Sequence, residues 1–460
     1  MAQPTSGISI PKDFTLGFAS AAWQIEGSVA TRGRSIWDDF ADTPGKVKDG
    51  VTGEPATDHI RRLEEDLDLL AWLGVDAYRF SVSWPRVMPE GRGAISEAGL
   101  DFYDRLVDGL VARGIKPVAT LYHWDYPSAL HSTIPWHHRD SAELFADYAE
   151  VVGRRLGDRV DRWATLNEPW CTAFLGFASG IHAPGETNPG RSLNVAYNLM
   201  LAHGRSLERM RSLGLPNLGI CPNIIPIIAE DEDSEAQAHI VDGLQNALWL
   251  DLLAGRGVPE HLIAATESFT DWSFVHDGDL PIISAPIDWV GENYYTVMRV
   301  KAGAGSADGT VGQDASMFPG AGDFHFRPRG ELTDMGWEVI PEGFTQALLR
   351  MARDLPGVDI MVTENGIATQ EMIDDEGVHD PARIDYYDRH LRAVLDAREQ
   401  GAPVIGYLGW SILDNLEWAE AWRMRFGIVR VDTETSERTP KDSLRPSSGW
   451  RATCPVSTSW

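Results

Sequence analysis

Short apolar runs rich in β-formers recur eight times along the chain: Phe14 to Ser20, Ala77 to Trp84, Pro117 to Trp124, Arg162 to Asn167, Leu218 to Ile225, Asp288 to Thr296, Asp359 to Glu364 and Val404 to Leu413. Most are separated by stretches with helical periodicity. Parallel strands need a long crossover between them, so this alternation demands a parallel sheet. The helices carry their own signals. Ile60, Leu63, Leu67 and Leu70 mark one buried face, with Asp58 as N-cap and Gly74 as stop. Leu100, Tyr103, Val107, Leu110 and Val111 repeat that face before Gly114, and Leu144, Phe145, Tyr148, Val151 and Val152 do so after a cap at Ser141. Eight strands fit a closed (β/α)8 TIM barrel, with long loops at the C-terminal face of the strands, better than an open doubly wound sheet, which is the alternative. A barrel of this kind can hold all 460 residues in one unit, because insertions take such domains past ~400 residues.

Nucleotide chemistry finds little support: no Gly-x-Gly-x-x-Gly follows the first run, and no Gly-Lys-Ser/Thr phosphate loop occurs. Forty basic residues against 68 acidic ones give a net charge of −28, a balance that repels nucleic acid and anionic lipid alike. The acidic run Glu230 to Asp233 reads as a solvated loop. Met1 to Pro11 has no apolar core of signal-peptide length, and no stretch approaches ~18 apolar residues, so a soluble cytoplasmic enzyme is expected. Cys171, Cys221 and Cys454 are odd in number and widely spaced, which indicates neither a disulfide framework nor a Cys-x-x-Cys metal site. Two of them fall in or next to apolar segments and read as small buried hydrophobes.

No internal repeat and no linker divides the chain. Lys301 to Gly330, rich in Gly, Ala, Ser and Asp, directly follows the sixth run. In a barrel it is a long loop on the catalytic face, or else a mobile insertion of no consequence. From Leu444 to Trp460 neither helical nor alternating periodicity persists. The expected organisation is a catalytic barrel over residues 1–443 and an atypical tail over 444–460.

Two glutamates stand in near-matching settings. Thr165-Leu166-Asn167-Glu168-Pro169 and Val362-Thr363-Glu364-Asn365-Gly366 each end an apolar run. Alone, either would be a surface carboxylate, because glutamate is rarely buried unpaired. Here a backbone breaker follows each, turns the chain away and leaves the carboxylate at the barrel mouth. Cleaving a glycosidic bond needs one carboxyl group to protonate the leaving oxygen and a second to meet the charge developing at the anomeric carbon. His123, Trp124 and Asp125 close the third run, Asn293, Tyr294 and Tyr295 the sixth, and Trp410, Asp414, Asn415, Glu417 and Trp418 lie on or after the eighth. Sugars combine hydroxyl edges with apolar faces, so amide, carboxylate and indole groups together suit them. Taken singly, most of the 17 tryptophans are core packing and His123 is a satisfied buried histidine. A metal site competes for His123, Asp125, Glu168 and Glu364, but no His-x-His, His-x-x-x-His or carboxylate triad sits on these runs; no metal and no cofactor is expected.

In the motifs Gln24-Ile25-Glu26-Gly27, Tyr78-Arg79-Phe80-Ser81, Leu121 to Asp125, Thr165 to Pro169, Asn293 to Thr296, Met335-Gly336-Trp337, Thr363 to Gly366 and Trp410 to Trp418, the chain resembles a glycoside hydrolase family 1 β-glucosidase from Ile10 to Asp442. The resemblance implies a retaining mechanism with Glu168 as acid/base and Glu364 as nucleophile. It implies that Gln24, His123, Asn167, Glu417 and Trp418 hold the non-reducing sugar, with Trp410 as stacking platform and Trp124 and Phe426 completing the wall. Arg79, Asn293 and Tyr295 would position the nucleophile, and Trp170, Leu175, His182 and Trp337 would line the leaving-group side. Family members that act on 6-phosphorylated sugars usually lack the glutamate matching Glu417, so the expected partner is a neutral small-molecule carbohydrate, a β-glucoside or a short oligosaccharide such as cellobiose. Leu416, Ala421-Trp422 and the segment His131 to His138 depart from the family pattern and bear on acceptor preference. Leu444 to Trp460 matches nothing in it and reads as an altered terminus. A sugar-binding protein without turnover and a transglycosylase are the competing readings, and monomer and homo-oligomer are both open.

Overall fold

A computed structural model describes residues 8–305 and 315–444. The eight runs become eight strands: β1 Thr15–Ala19, β2 Ala77–Ser81, β3 Lys116–Tyr122, β4 Arg162–Asn167, β5 Leu218–Cys221, β6 Trp289–Asn293, β7 Asp359–Glu364 and β8 Val404–Trp410. Each pairs in parallel with the next, and β8 pairs with β1, Thr15 opposite Gly406 and Ala19 opposite Trp410. The sheet is therefore closed, a (β/α)8 barrel and not an open sheet.

Several strands stop short of their apolar runs. β2 ends at Ser81, and Trp84 opens the short helix Trp84–Val87. β5 stops before Pro222, which has no N–H to offer a neighbouring strand. Val82, Tyr294, Ile412 and Leu413, beyond the strand ends, are buried all the same. Their pairing is reduced to single contacts, the Val82 amide on the Thr120 carbonyl, the Tyr294 amide on the Glu364 carbonyl and a lone bridge of Leu413 with Val429, so the apolar runs outlast the regular strands.

The helix Leu63–Leu73 ends at Gly74, whose φ of 67° needs a glycine's freedom. Asp58 does not cap it: Arg62 occupies the N-cap, and Asp58 sits in a preceding turn paired with Arg61. The helix Glu97–Ala112 starts where the Ser96 hydroxyl accepts from the Gly99 amide, and it buries Leu100, Tyr103, Val107 and Leu110. Val111 is exposed, one step around the helix from Leu110. Ser141 is the first residue of the helix Ser141–Leu156 and Asp140 its cap position. The acidic run is only partly solvated, since Glu230 pairs with Arg329 and Asp231 with Lys301.

Ile227–Ala229, Met298–Ala302 and Phe324–Phe326 form a small three-stranded sheet beside the barrel. The described part of the Lys301 to Gly330 segment belongs to it and carries Met317 to the cavity wall; residues 306–314 lie outside the described residues, as do 445–460 of the tail and Cys454. No helix among the described residues is long and apolar enough to cross a membrane.

Candidate active site

Glu168 follows β4 and Glu364 ends β7, so both face the C-terminal mouth of the barrel. The Glu168 amide donates to the Cys221 carbonyl of β5 at 2.7 Å, which fixes where the chain leaves the strand. Between the two acids stands Asn293, the last residue of β6 and the register partner of Glu364. Its amide nitrogen donates to Glu168 Oε1 at 2.6 Å and to Asn167 Oδ1 at 2.9 Å. Arg79 reaches across from β2, fully buried. Its guanidinium donates to Glu364 Oε1 at 2.6 Å, to Asn167 Oδ1 at 2.5 Å and to Thr120 Oγ1 at 2.9 Å. The Tyr295 hydroxyl donates to Glu364 Oε2 at 2.8 Å. Glu364, Arg79, Asn167, Asn293 and Glu168 thus form one continuous hydrogen-bonded chain with a carboxyl group at each end.

The two ends differ electrostatically. Burial, then the negative charge of Glu364, pushes Glu168 up to about 7. Its donors are neutral, Asn293 and the Cys171 thiol, the latter 3.0 Å from Oε2. Burial raises Glu364 as well, but the Arg79 cation and the Tyr295 hydroxyl act against it. A carboxyl group with a cation on it ionises before a neighbour without one, and its charge then holds the neighbour's proton in place.

Both acids line a cavity of about 510 Å³. His123, Trp124, Trp410, Glu417, Trp418 and Phe426 are among the residues that line it. His123 lies face to face with Trp410 at 5.8 Å and with Trp418 at 5.7 Å, and Trp124 contacts Trp418 at 4.4 Å. Burial and the Arg79 charge keep His123 neutral. Its Nε2 accepts from Asn167 at 3.0 Å, and Nδ1 has no partner among the described residues. Burial, then the charges of Glu364 and Glu168, pushes Glu417 up to about 8. Its Oε2 is also without a partner. Gln24 lies behind this wall: Nε2 donates to Asn415 Oδ1 and Leu416 O, holding the loop that carries Glu417, while Oε1 is buried and unpartnered. Trp170, Leu175, His182 and Trp337 line the cavity too, His182 packing on Trp37, Trp124 and Trp418 and Trp337 on Phe426.

The sequence model of glycosyl hydrolase family 1 matches residues 7–447. The chain belongs to glycosyl hydrolase family 1. It is 44% identical over 449 residues to a bifunctional β-D-glucosidase/β-D-fucosidase of Bifidobacterium breve, covering 94% of this chain and 96% of that protein. It is also 44% identical over 438 residues to the thermostable β-glucosidase B of Thermobispora bispora, covering 95% and 89%. Among crystal structures, the psychrophilic β-glucosidase BglU of Micrococcus antarcticus superposes with a TM-score of 0.92 at 40% identity, over 96% of this chain and 97% of that one. Membership makes the protein a glycoside hydrolase of the retaining class.

Of the residues expected at the site from the sequence, Gln24, Arg79, Asn167 and Asn293 lie in the hydrogen-bonded layer behind the cavity and the others line it. Several wall residues of this family 1 enzyme escaped the sequence reading. Cys171 does more than fill space, since its thiol donates to Glu168. It sits three residues on, at the start of the helical turn Cys171–Ser179, so the i, i+3 spacing was a usable signal. Asn223, Met298, Met317 and Met335 also line the cavity. Met298 opens a strand of the small three-stranded sheet and Met317 ends a short helical turn, while Met335 belongs to the Met335-Gly336-Trp337 motif, of which only Trp337 was expected at the site. Among the described residues no group of three His, Cys, Asp or Glu could hold a metal ion.

Proposed function

We propose that the protein is a β-glucosidase that removes terminal β-D-glucosyl residues from β-glucosides and short β-linked oligosaccharides such as cellobiose, with Glu364 as nucleophile and Glu168 as acid/base. The observation that carries this reading is the asymmetry of the carboxyl pair: Arg79 and Tyr295 on Glu364, neutral donors alone on Glu168. An ionised Glu364 attacks the anomeric carbon while the Glu168 proton passes to the leaving oxygen. The ester that forms has no charge, so the pKa of Glu168 falls and the same carboxylate can take a proton from water. Water then cleaves the ester and restores both groups.

On this reading the unpartnered Nδ1 of His123 and Oε2 of Glu417 meet sugar hydroxyls at the cavity, Gln24 supports them from behind, and Trp410 offers an apolar face to the ring. A carboxyl group at Glu417 disfavours a phosphorylated sugar. The first 443 residues constitute one catalytic unit on this reading, working in the cytoplasm, where two buried unpaired thiols, Cys171 and Cys221, are at home. Mass spectrometry after incubation with a 2-deoxy-2-fluoro-β-glucoside tests the chemistry. One fluoroglucosyl adduct on the peptide containing Glu364 is expected; an adduct on a different peptide would remove Glu364 as nucleophile.

A further inference from the structure

Glu292 stands one residue before Asn293 on β6. Successive side chains of a strand face opposite ways, so with Asn293 turned to the carboxyl pair, Glu292 faces away from it. It is fully buried and makes no ion pair among the described residues. Its Oε2 accepts from the Ile224 amide at 3.2 Å, and Oε1 meets no donor among the described residues. A lone buried charge is so unfavourable that the group neutralises instead. A proton on Glu292 accounts for both oxygens: one accepts and the other carries the hydrogen. Burial holds the group well above the ordinary carboxylate range; the Ile224 amide opposes this, and the Glu168 charge adds to it.

The stretch that Glu292 grips runs from Cys221 to Pro226, and it is clamped along its length. The Cys221 carbonyl accepts from the Glu168 amide at 2.7 Å, and the Pro222 carbonyl from the Asn293 amide at 3.2 Å. Gln245 Nε2 donates to the Asn223 carbonyl at 2.9 Å, so a single peptide unit is held at its oxygen by Gln245 and at its N–H by Glu292. Asn246 takes the N–H and the carbonyl of Ile225 at 2.8 and 2.7 Å. Gln245 and Asn246 both come from the helical turn Gly243–Ala247. Glu168 is therefore supported twice, at its amide by this stretch and at Oε1 by Asn293, and Glu292 adds a side-chain tie between the two supports. We propose that Glu292 is a positioning residue for acid catalysis: a neutral carboxylic acid that fixes the Cys221 to Pro226 stretch against β6 and so sets where the Glu168 carboxyl group meets the leaving oxygen. The inference rests on the reading of Glu168 as acid/base. A misplacement of about 1 Å in a reacting group can lower the rate ~10²-fold.

Proton donation matters for a basic leaving group and hardly for an acidic one, and kcat/KM covers the step in which the leaving group departs. Octyl and 2,4-dinitrophenyl β-D-glucosides are therefore the probes. Glu292→Met, which removes the acceptor of the Ile224 amide, should lower kcat/KM at least ~10-fold for the octyl compound and at most ~3-fold for the dinitrophenyl one. Glu292→Gln keeps an acceptor oxygen without a charge and should bring the octyl value back to within ~3-fold of the unaltered enzyme's. Its alkaline limb should stay in place, since one neutral group replaces another. Equal losses on both glucosides in Glu292→Met make the residue a packing group and overturn the inference. A limb that falls by ~0.5 pH unit or more in Glu292→Gln assigns the residue a charge and overturns it too. That limb is read in a variant that keeps the hydrogen bond, and it decides even where Glu292→Met does not fold. Glu168→Ala separates the two readings: it should show the same selective loss on the octyl compound, and equal losses there overturn the acid/base reading itself.

Discussion

Glu168 works as an acid only while it holds a proton near neutral pH, and its immediate neighbours set how long it does. Replacing Glu168 or Glu364 by alanine should lower turnover of a β-glucoside by ~10² to 10⁴, the usual span of one acid/base contribution; steady-state kinetics on folded variants checks it. Cys171 gives a finer test. Its thiol donates to the ionised carboxylate and so favours loss of the Glu168 proton. Without that donor the alkaline limb of the kcat/KM profile, expected near pH 7, should move upward in Cys171→Ala by about half to one pH unit. Cys171→Ser should restore it. A limb that stays put in Cys171→Ala would reduce the thiol to a packing group. Backbone conformation adds a constraint of its own at this scale. Trp124, Glu168 and Trp418 have φ values of 76°, 41° and 48°, a region that side chains with a Cβ avoid. Each is held there by packing and hydrogen bonds around it, as expected where a site is assembled before substrate arrives.

The loop after β8 shows how an element far from the chemistry controls it. It carries Glu417, Trp418 and Phe426, and it is pinned at Asp414. That carboxylate accepts from the Gly427 amide at 3.0 Å, from Arg425 at 3.1 Å and from Lys441 at 2.8 Å. Lys441 is fully buried and pairs with Glu371 too, at 2.7 Å. Removing one partner of a buried ion pair leaves an uncompensated charge, so Lys441→Met should destabilise the protein by about 3–5 kcal/mol and raise KM for glucosides. Denaturant unfolding and kinetics measure the two effects, and Lys441→Met combined with Asp414→Asn should recover part of the stability. None of this was legible in the chain, because a lysine near the end and an aspartate after the last strand carry no local sign that they meet. What was legible follows from period and order: eight strands, their parallel sense, and two glutamates at the ends of the fourth and the seventh. Strand ends were misjudged where burial and isolated pairings continue past the regular strand, at Val82 and at Ile412 and Leu413. Glu168 and Glu364 were readable because each pairs a strand end with a backbone breaker; Asn223, Met298 and Met317 were not, because only the fold brings a loop, the start of a small-sheet strand and a short helical turn to one cavity.

Across the whole molecule, buried titratable groups give stability a definite pH dependence. Burial holds Glu168 up at about 7 and Glu417 and Asp125 at about 8. In the unfolded chain such groups lose their protons near ~4. Above that pH the folded form binds more protons than the unfolded one, and stability falls as pH rises. His182, His203 and His390, held down at about 3, act in the opposite sense, but only below the ordinary histidine value of ~6.5. Above ~6.5 only groups raised in the folded form act, the carboxyl groups joined by His379, which Asp442 and Asp374 hold up, so thermal unfolding at constant ionic strength should show Tm declining from about pH 6.5 to 8, with a shallower slope in Glu417→Gln. A flat or rising Tm over that interval would contradict the assignment. The closure of β1 on β8 has a further effect, on the timing of assembly. Thr15 finds its partner only in Gly406, so a ribosome releases the first strand long before the strand that completes it, and β1 must wait with one edge open. A nascent chain that has not yet reached Trp418 already contains both glutamates but no sugar pocket. Activity should therefore appear late and abruptly in synthesis, in one step as the last strand and its loop seat against the first.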